Sequence, residues 1–461
     1  MKPNPPLPNI DDKSHSQFTL LIERRFWPLF VTQFLGAFND NAYKNALLML
    51  SSFGVISWFE TDMARMGMEA KTFAILAGGL LILPFFLFSA TAGQLADKFD
   101  KAKLARATKM LEIFIVLLAG LGFWLHNLPV LLSALFLLGL QSTLFGPVKY
   151  SILPQHLHAD ELVGGNALVE AGTFVAILIG TLAGGLLASQ DNGTVWIFGI
   201  CLLVAVIGFL ASCRIPAAPA PAPELNISIN IVAATWRGIC FASQERSVFQ
   251  SILGISWFWA YGSLLLVQLP DYTKTHLNGN SHLVMVLFAV FSVAIGTGSL
   301  ICEKLTRLRG KAVEPGIVPV GALGMTIFGL DLALGSPAQT SIVLHPLNEL
   351  LRQSHTWRVL LDLTMMGVFG GIYCVPLYAL IQQRSSPEVR ARIIAANNIL
   401  NSLFMVLISA GAFVLLKHGI SIPTLFLSMA LLHGIVTAYI FSVVPEFLIR
   451  AMVWMGWRRE S

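Results

Sequence analysis

Twelve stretches of the chain are apolar and long enough to cross a bilayer, with short polar turns between them. They run near 26–54, 72–96, 104–125, 129–152, 162–189, 194–213, 247–269, 282–303, 314–335, 358–382, 392–416 and 421–444. A span needs about 20 residues at 1.5 Å of rise each, and every stretch meets that length. The pattern predicts an all-α integral membrane protein with twelve transmembrane helices. One long polar interruption, 214–246, falls after the sixth span and opens with the Pro/Ala run IPAAPAPAPELN. Such a run reads as a stiff spacer and not as a helix. The stretch 336–357, with His345, Pro346, His355 and Trp357, is expected to hold a short interfacial helix.

An internal repeat divides the chain at the same place. GPVKYSILPQHL followed by ELVGGNALVEAGTF in the first half is matched by CVPLYALIQQRS followed by VRARIIAANNILNS in the second. Pro147 and Pro376 lie 229 residues apart, and Asn166 and Asn397 lie 231 apart. Two related six-helix bundles are the natural reading. They cover 26–213 and 247–445, joined by the 214–246 linker and flanked by tails at 1–25 and 446–461.

Composition agrees. Of 461 residues, 55% are hydrophobic and 12% charged, against roughly 25% charged in a soluble domain. The +5 formal charge does not point to nucleic acid, because the basic residues follow the membrane. With the N-terminus in the cytoplasm, that side collects roughly 23 of the 30 Lys and Arg residues. They lie in the tail (Arg24, Arg25), the 97–109 loop, Lys149, the linker, the 303–311 and 384–392 loops, and Arg450, Arg458 and Arg459. Both termini are therefore expected in the cytoplasm. The N-terminal MKPNPPLPNIDDKSHSQ has no signal-peptide character, so the first span should act as an uncleaved anchor. Five scattered cysteines suggest neither a disulfide framework nor a metal site.

Polar residues inside spans carry the functional signal, since a charge at mid-bilayer costs ~2.5–3.5 kcal/mol even on lenient scales. In the first span Gln33, Asp40 and Lys44 share one helical face, with Asn39 beside Asp40 and the pair Asn41 and Asn45 alongside. The stripe is either a salt bridge from Asp40 to Lys44 or a wet, substrate-facing surface. Lys149 near the end of the fourth span either snorkels to headgroups or faces the bundle. Asn166 and Glu170 in the fifth span, and Asn397 and Asn401 with Asn398 in the eleventh, are interhelical glue or cavity lining. In the loop GQLADKFDKAKL, Gly93 and Asp97 stand one turn apart, followed by Lys98 and Lys101. A carboxylate there can cap a neighbouring helix, and the lysines can hold phosphates or the inner leaflet.

At these motifs the chain resembles the major facilitator superfamily, and within it the bacterial lysophospholipid transporter family. Gly93, Leu95, Asp97, Lys98 and Lys101 fit the superfamily's loop signature, with Asp100 where glycine is usual. FLGAFNDN, FGPVKYSIL with NALVEAGTFVAILIGTLAGGLLA, and GGIYCVPLYALIQQR resemble the narrower family. A monomer without cofactors is expected, and the resemblance implies flipping of lysophosphatidylethanolamine and lysophosphatidylglycerol from the outer to the inner leaflet of the bacterial inner membrane. It also implies a separate acyltransferase that restores the second chain. Asp40 and Lys149 match charged positions tied to transport, with Lys149 for phosphate and Asp40 for an ammonium. An arginine expected in the seventh span has no counterpart in SWFWAYGSLLLVQLP. An apolar slot beside Trp257 and Trp259 would suit the tail. Small residues (Gly180, Ala183, Gly184, Gly185; Ser409, Ala410, Gly411) would permit close helix approach and a lateral opening.

The other transporter reading is a proton-coupled exporter of amphiphilic small molecules, with Asp40 or Glu170 carrying the proton. A membrane acyltransferase is disfavoured, because His156 and Asp160 are one residue too close for a His-x-x-x-x-Asp pair. Gly310–Lys311 is followed by Ala312, so no phosphate-binding loop is present to use ATP.

Overall fold

A computed structural model of the protein describes residues 16–53, 57–307, 313–338 and 344–457. The expected basic positions Arg309, Lys311, Arg458 and Arg459, and tail residues 1–15, lie outside the described residues. Twelve long helices carry the fold: α1 (Trp27–Phe53), α3 (Ala70–Lys98), α4 (Lys101–Trp124), α5 (Leu128–Ser151), α7 (Leu162–Ala188), α8 (Gly193–Ser212), α10 (Arg246–His276), α11 (Ser281–Arg307), α12 (Val318–Leu334), α14 (Ser354–Arg384), α15 (Arg390–Lys417) and α16 (Ile422–Val443). Five short helices join or follow them: α2 (Ser57–Arg65), α6 (Leu153–His156), α9 (Ile231–Ser243), α13 (Leu347–Leu350) and α17 (Glu446–Trp454). Among the described residues, eleven of the long helices are long and apolar enough to span a membrane. The twelfth, α1, has the length, but Gln33, Asn39, Asp40, Asn41, Lys44 and Asn45 make it polar.

Most helix ends fall within a few residues of the expected ones, because caps and prolines mark them. Asp100 accepts from Lys103 N to start α4, and Asn127 accepts from Val130 N to start α5. α10 runs to His276, well past the expected end at 269: its last turns are polar in sequence, but Tyr272, Thr273 and His276 are buried against the bundle. The short helix expected in 336–357 is α13, reached through a single parallel bridge between Gly279 and His345.

Close packing fixes α7 on α1. A Cβ on Gly180 would stand 2.5 Å from the Phe38 carbonyl oxygen, and one on Gly184 would stand 2.2 Å from that of Ala42. These small residues therefore seat α7 within its own half. Gly185 and Gly411 have nothing within 4 Å, so no close approach uses them.

The first six spans meet the last six along two seams, α7 against α11 and α3 against α15. Burial along the second seam is uneven. Positions 89–97 of α3 and 391–402 of α15 are nearly all buried, whereas 70–88 and 403–417 are mostly exposed or half-buried. The two halves are thus closed at the face bearing the α3–α4 and α14–α15 turns, here called the basic face. They are splayed at the opposite one.

The linker is more than the stiff spacer expected. Its Pro/Ala run docks on the α3–α4 turn: Lys101 N donates to Ala218 O (3.0 Å), Ala218 N to Asp100 Oδ2 (3.1 Å) and Ala222 N to Asp97 O (3.0 Å). Its second part forms α9, an amphipathic helix capped by Asn230. Ala234 of α9 packs with Ala90 of α3 and Ile399 of α15, so α9 lies across the α3–α15 seam.

Candidate functional site

A cavity of about 270 Å³ lies between the halves, above the closed seam. Its wall has two characters. Leu81, Ile82 and Phe85 of α3 and Met405 of α15 form an apolar side. Gln33, Asp40 and Asn41 of α1, Lys149 of α5, and Asn398, Asn401 and Ser402 of α15 form a polar one. One helical turn of α1 supplies Gly36, Ala37, Asp40 and Asn41 together, which is why its apolarity is sacrificed there.

Asp40 does not form the salt bridge considered for it. Its Oδ2 accepts from Ser142 Oγ at 2.5 Å, while buried Oδ1 has no partner among the described residues. Lys44 instead donates to Asn41 Oδ1 at 3.2 Å and is set back from the cavity. Lys149 does not snorkel outward. Its ammonium lies 3.4 Å from Thr173 Oγ1 and 4.6 Å from the Tyr150 ring centroid, and Thr173 Oγ1 is 2.9 Å from Gln33 Oε1. Gln33, Asp40, Asn41, Lys149 and Asn401 are therefore brought to one space.

Five expected residues lie behind or beside that space. Asn39 points away, donating to Glu112 Oε1 (2.7 Å) and Cys201 O (3.1 Å). Asn397 is buried with neither amide atom hydrogen-bonded among the described residues, and its neighbour Asn398 takes the cavity position. Lys44 is set back as described. Asn166 is paired with Gln382 of α14 through two hydrogen bonds, at 2.7 and 2.9 Å. Glu170 accepts from the Tyr150 hydroxyl, and its other oxygen is unpartnered.

The cavity floor is aromatic and joins the halves. The Tyr150 ring stacks on Tyr378 with centroids 4.4 Å apart and planes at 4°. Trp259 Nε1 donates to the Tyr378 hydroxyl at 3.1 Å, and Phe174 stacks on Trp259 at 5.5 Å. Trp257, grouped with Trp259 as a tail slot, is buried away from the cavity.

Below the floor, Asp97 caps α15. Its carboxylate accepts from Ala391 N (3.1 Å), Arg392 N (3.3 Å) and Arg392 Nε (3.0 Å). Gly93 makes the approach possible, because a Cβ there would stand 2.9 Å from Ala391 O. Lys101 is buried and so is not presented to a leaflet, whereas Lys98 is half-buried with its ammonium 6.0 Å from the Phe99 ring centroid.

Sequence reasoning missed Ser142, Thr173, Tyr378, Gln382 and, above all, Lys109 and Glu112. Lys109, assigned to the basic loop, lies well inside α4 with no exposed surface, 2.5 Å from Glu112. The signal was present: Lys and Glu at i, i+3 within the third apolar stretch.

Solved structures with this fold include the human organic anion transporter MFSD10 (TM-score 0.62, 14% identity, 93% of this chain and 99% of that one). The transporter FucP in its outward conformation also matches (0.62, 13%, 94% and 99%). So does a bacterial homologue of the iron transporter ferroportin in its outward-facing state (0.61, 14%, 90% and 99%). By sequence the chain is 28% identical to the lysophospholipid transporter LplT of Serratia proteamaculans over 393 residues, covering 84% of this chain and 87% of that protein. It is 27% identical to the LplT of Yersinia enterocolitica over 408 residues, covering 87% and 90%. These relatives and folds are transporters and not enzymes. Residues 29–409 match the family model of the Major Facilitator Superfamily, to which this chain belongs.

Proposed function

We propose that the protein flips lysophospholipids, lysophosphatidylethanolamine and lysophosphatidylglycerol, from the outer to the inner leaflet of the bacterial inner membrane. The basic face lies in the cytoplasm on this reading, as the excess of Lys and Arg favours. The splayed side then faces outward, and the two six-helix halves rock about the cavity in alternating access. The observation that carries the proposal is the two-sided cavity wall. A headgroup fits the charged side, with its phosphate at Lys149 and an ethanolamine ammonium at Asp40. A single acyl tail fits the side of Leu81, Phe85 and Met405, next to the stretches of α3 and α15 that are left exposed or half-buried. The relatives named as lysophospholipid transporters favour the same substrate class. The protein works as a monomer, and a separate acyltransferase completes the lipid afterwards.

The test is uptake of headgroup-labelled lysophosphatidylethanolamine by spheroplasts of a strain lacking its own flippase. Uptake should appear with this protein and fall at least about tenfold in Asp40→Asn and in Lys149→Ala, each a loss of one charge-assisted contact. Uptake unchanged in both inserted variants would overturn the assignment. The exporter reading draws on Glu170, whose second oxygen is buried without a partner and suits a carried proton. Indifference to lysolipids with dependence on a proton gradient would select it.

A further inference from the structure

Among the described residues, all charge on the cavity wall comes from the first six spans: Asp40, Lys149 and Lys109. The second six contribute Trp259, Tyr378, Asn398, Asn401, Ser402 and Met405. A phosphate needing more than one cation thus has no partner across the cavity, and Lys109 is the second cation within reach.

Lys109 is in an unusual setting. Its ammonium is 2.5 Å from Glu112 Oε2, and both side chains are fully buried. Glu112 Oε1 is held separately by Asn39 Nδ2 at 2.7 Å. Gly36 packs against the ammonium, and Gly36 and Lys109 both belong to the cavity wall. A Cβ on Gly36 would lie 2.7 Å from Lys109 Nζ. Glycine in a helix interior costs about 1 kcal/mol against alanine. At this position the missing side chain is what leaves the ammonium a path into the cavity.

We propose that Lys109 is a second phosphate-binding cation of the cavity, held by Glu112 between transport cycles and shared with the headgroup phosphate through the gap at Gly36. This rests on the lysophospholipid reading above. An ammonium has three donors, so Lys109 can keep one on Glu112 while giving others to a phosphate. Glu112 retains Asn39 throughout, and no buried carboxylate is left bare. The competing possibility is a purely structural ion pair that ties α4 to α1 through Asn39.

The two differ in the sign of one effect. Glu112→Gln keeps the acceptor for Asn39 but no longer competes as a charge for Lys109. Lysophosphatidylethanolamine binding would be measured with the purified full chain in nanodiscs, with thermal unfolding of each variant as the folding control. Glu112→Gln should tighten binding about tenfold, and the neutral pair Lys109→Gln/Glu112→Gln should weaken it about tenfold relative to the wild type. Gly36→Ala, which displaces the ammonium, should weaken it as the double variant does. Wild-type binding that Glu112→Gln leaves equal or weaker, with the double variant no worse than the wild type, would make the pair structural and overturn this inference alone. No binding by the wild type would overturn the lysophospholipid reading and this inference with it.

Discussion

Asn166 and Gln382 exchange two amide hydrogen bonds, Nδ2 to Oε1 at 2.7 Å and Nε2 to Oδ1 at 2.9 Å, with neither side chain exposed. Asn166 is on α7 and Gln382 on α14, so the pair ties the first six spans to the last six. A rocking motion that opens the basic face must separate them or carry them together.

Gln382→Leu removes the partner of Asn166 across the seam and leaves its buried Oδ1 without a donor, only Nδ2 keeping Leu162 O, at a cost of about 1–3 kcal/mol to the closed seam. Labelling of a cysteine placed at Ala395 by a maleimide added to the basic face should rise about tenfold. Asn166→Leu/Gln382→Leu, which leaves no orphaned amide, should label less than the single variant. Equal labelling in all three proteins would mean that the pair does not hold the seam.

Arg392→Ala removes one charged contact to Asp97 and keeps the two backbone ones. Asp97→Asn weakens all three. Spin labels at Lys103 and Glu388, on the two turns of the basic face, should show a larger population of long distances in Asp97→Asn than in Arg392→Ala. The reverse order would assign the latch to the side-chain ion pair and not to the helix cap.

Gly184→Val places a branched side chain against the Ala42 carbonyl, where a Cβ would be only 2.2 Å away. The strain should exceed about 3 kcal/mol and reduce the yield of monodisperse protein in detergent. Gly185→Ala, one residue on and facing open space, should have a normal yield and a melting temperature at or above the wild type's.

His156 Nε2 lies 3.4 Å from Ala217 O of the docked linker. Burial, the largest influence, holds its imidazole below the ordinary 6.5, with the Ala217 and Arg25 backbone contacts and nearby Asp100 opposing and the Arg25 charge adding to it. A base whose value is lowered on folding stabilises the docked form above its ordinary value. That contribution is lost as pH falls below 6.5 toward the lower folded-state value. Hydrogen exchange at the Ala218 and Ala222 amides, corrected for intrinsic rate, should therefore quicken between about pH 7.5 and 5.5. In His156→Gln the change should vanish.

The fold was legible because spans, caps and the central linker each leave a period or a composition in the sequence. The cavity was legible only in part. Asp40, Lys149 and Asn401 stood out because charges and amides are costly in lipid, but cost does not say which way a side chain points. Asn39 and Asp40 are adjacent on α1, roughly a quarter-turn apart about the helix axis, and one binds Glu112 while the other faces the cavity. Asn397 and Asn398 differ in the same way. Lys109 was misread because a basic loop precedes it without a break, and only its i, i+3 partner Glu112 marks it as internal. Gln382 was invisible, since an amide at the end of a span is unremarkable until its partner is known.

Asp97 serves two parts of the chain at once: its side chain holds α15, and its backbone carbonyl receives Ala222 of the linker. The covalent slack between the halves is therefore no more than the stretch from 223 to 227, because Ser228 N donates to Gln94 Oε1 of α3 at 2.8 Å before α9 begins. Were the protein made as two separate polypeptides, a break in that stretch would leave every latch contact intact, and the fragments should reassemble. A break between Ala218 and Ala222 would instead release the strap and the latch residue it rests on. The connection between the halves thus acts as part of the hinge hardware, with a defined place where it can be cut.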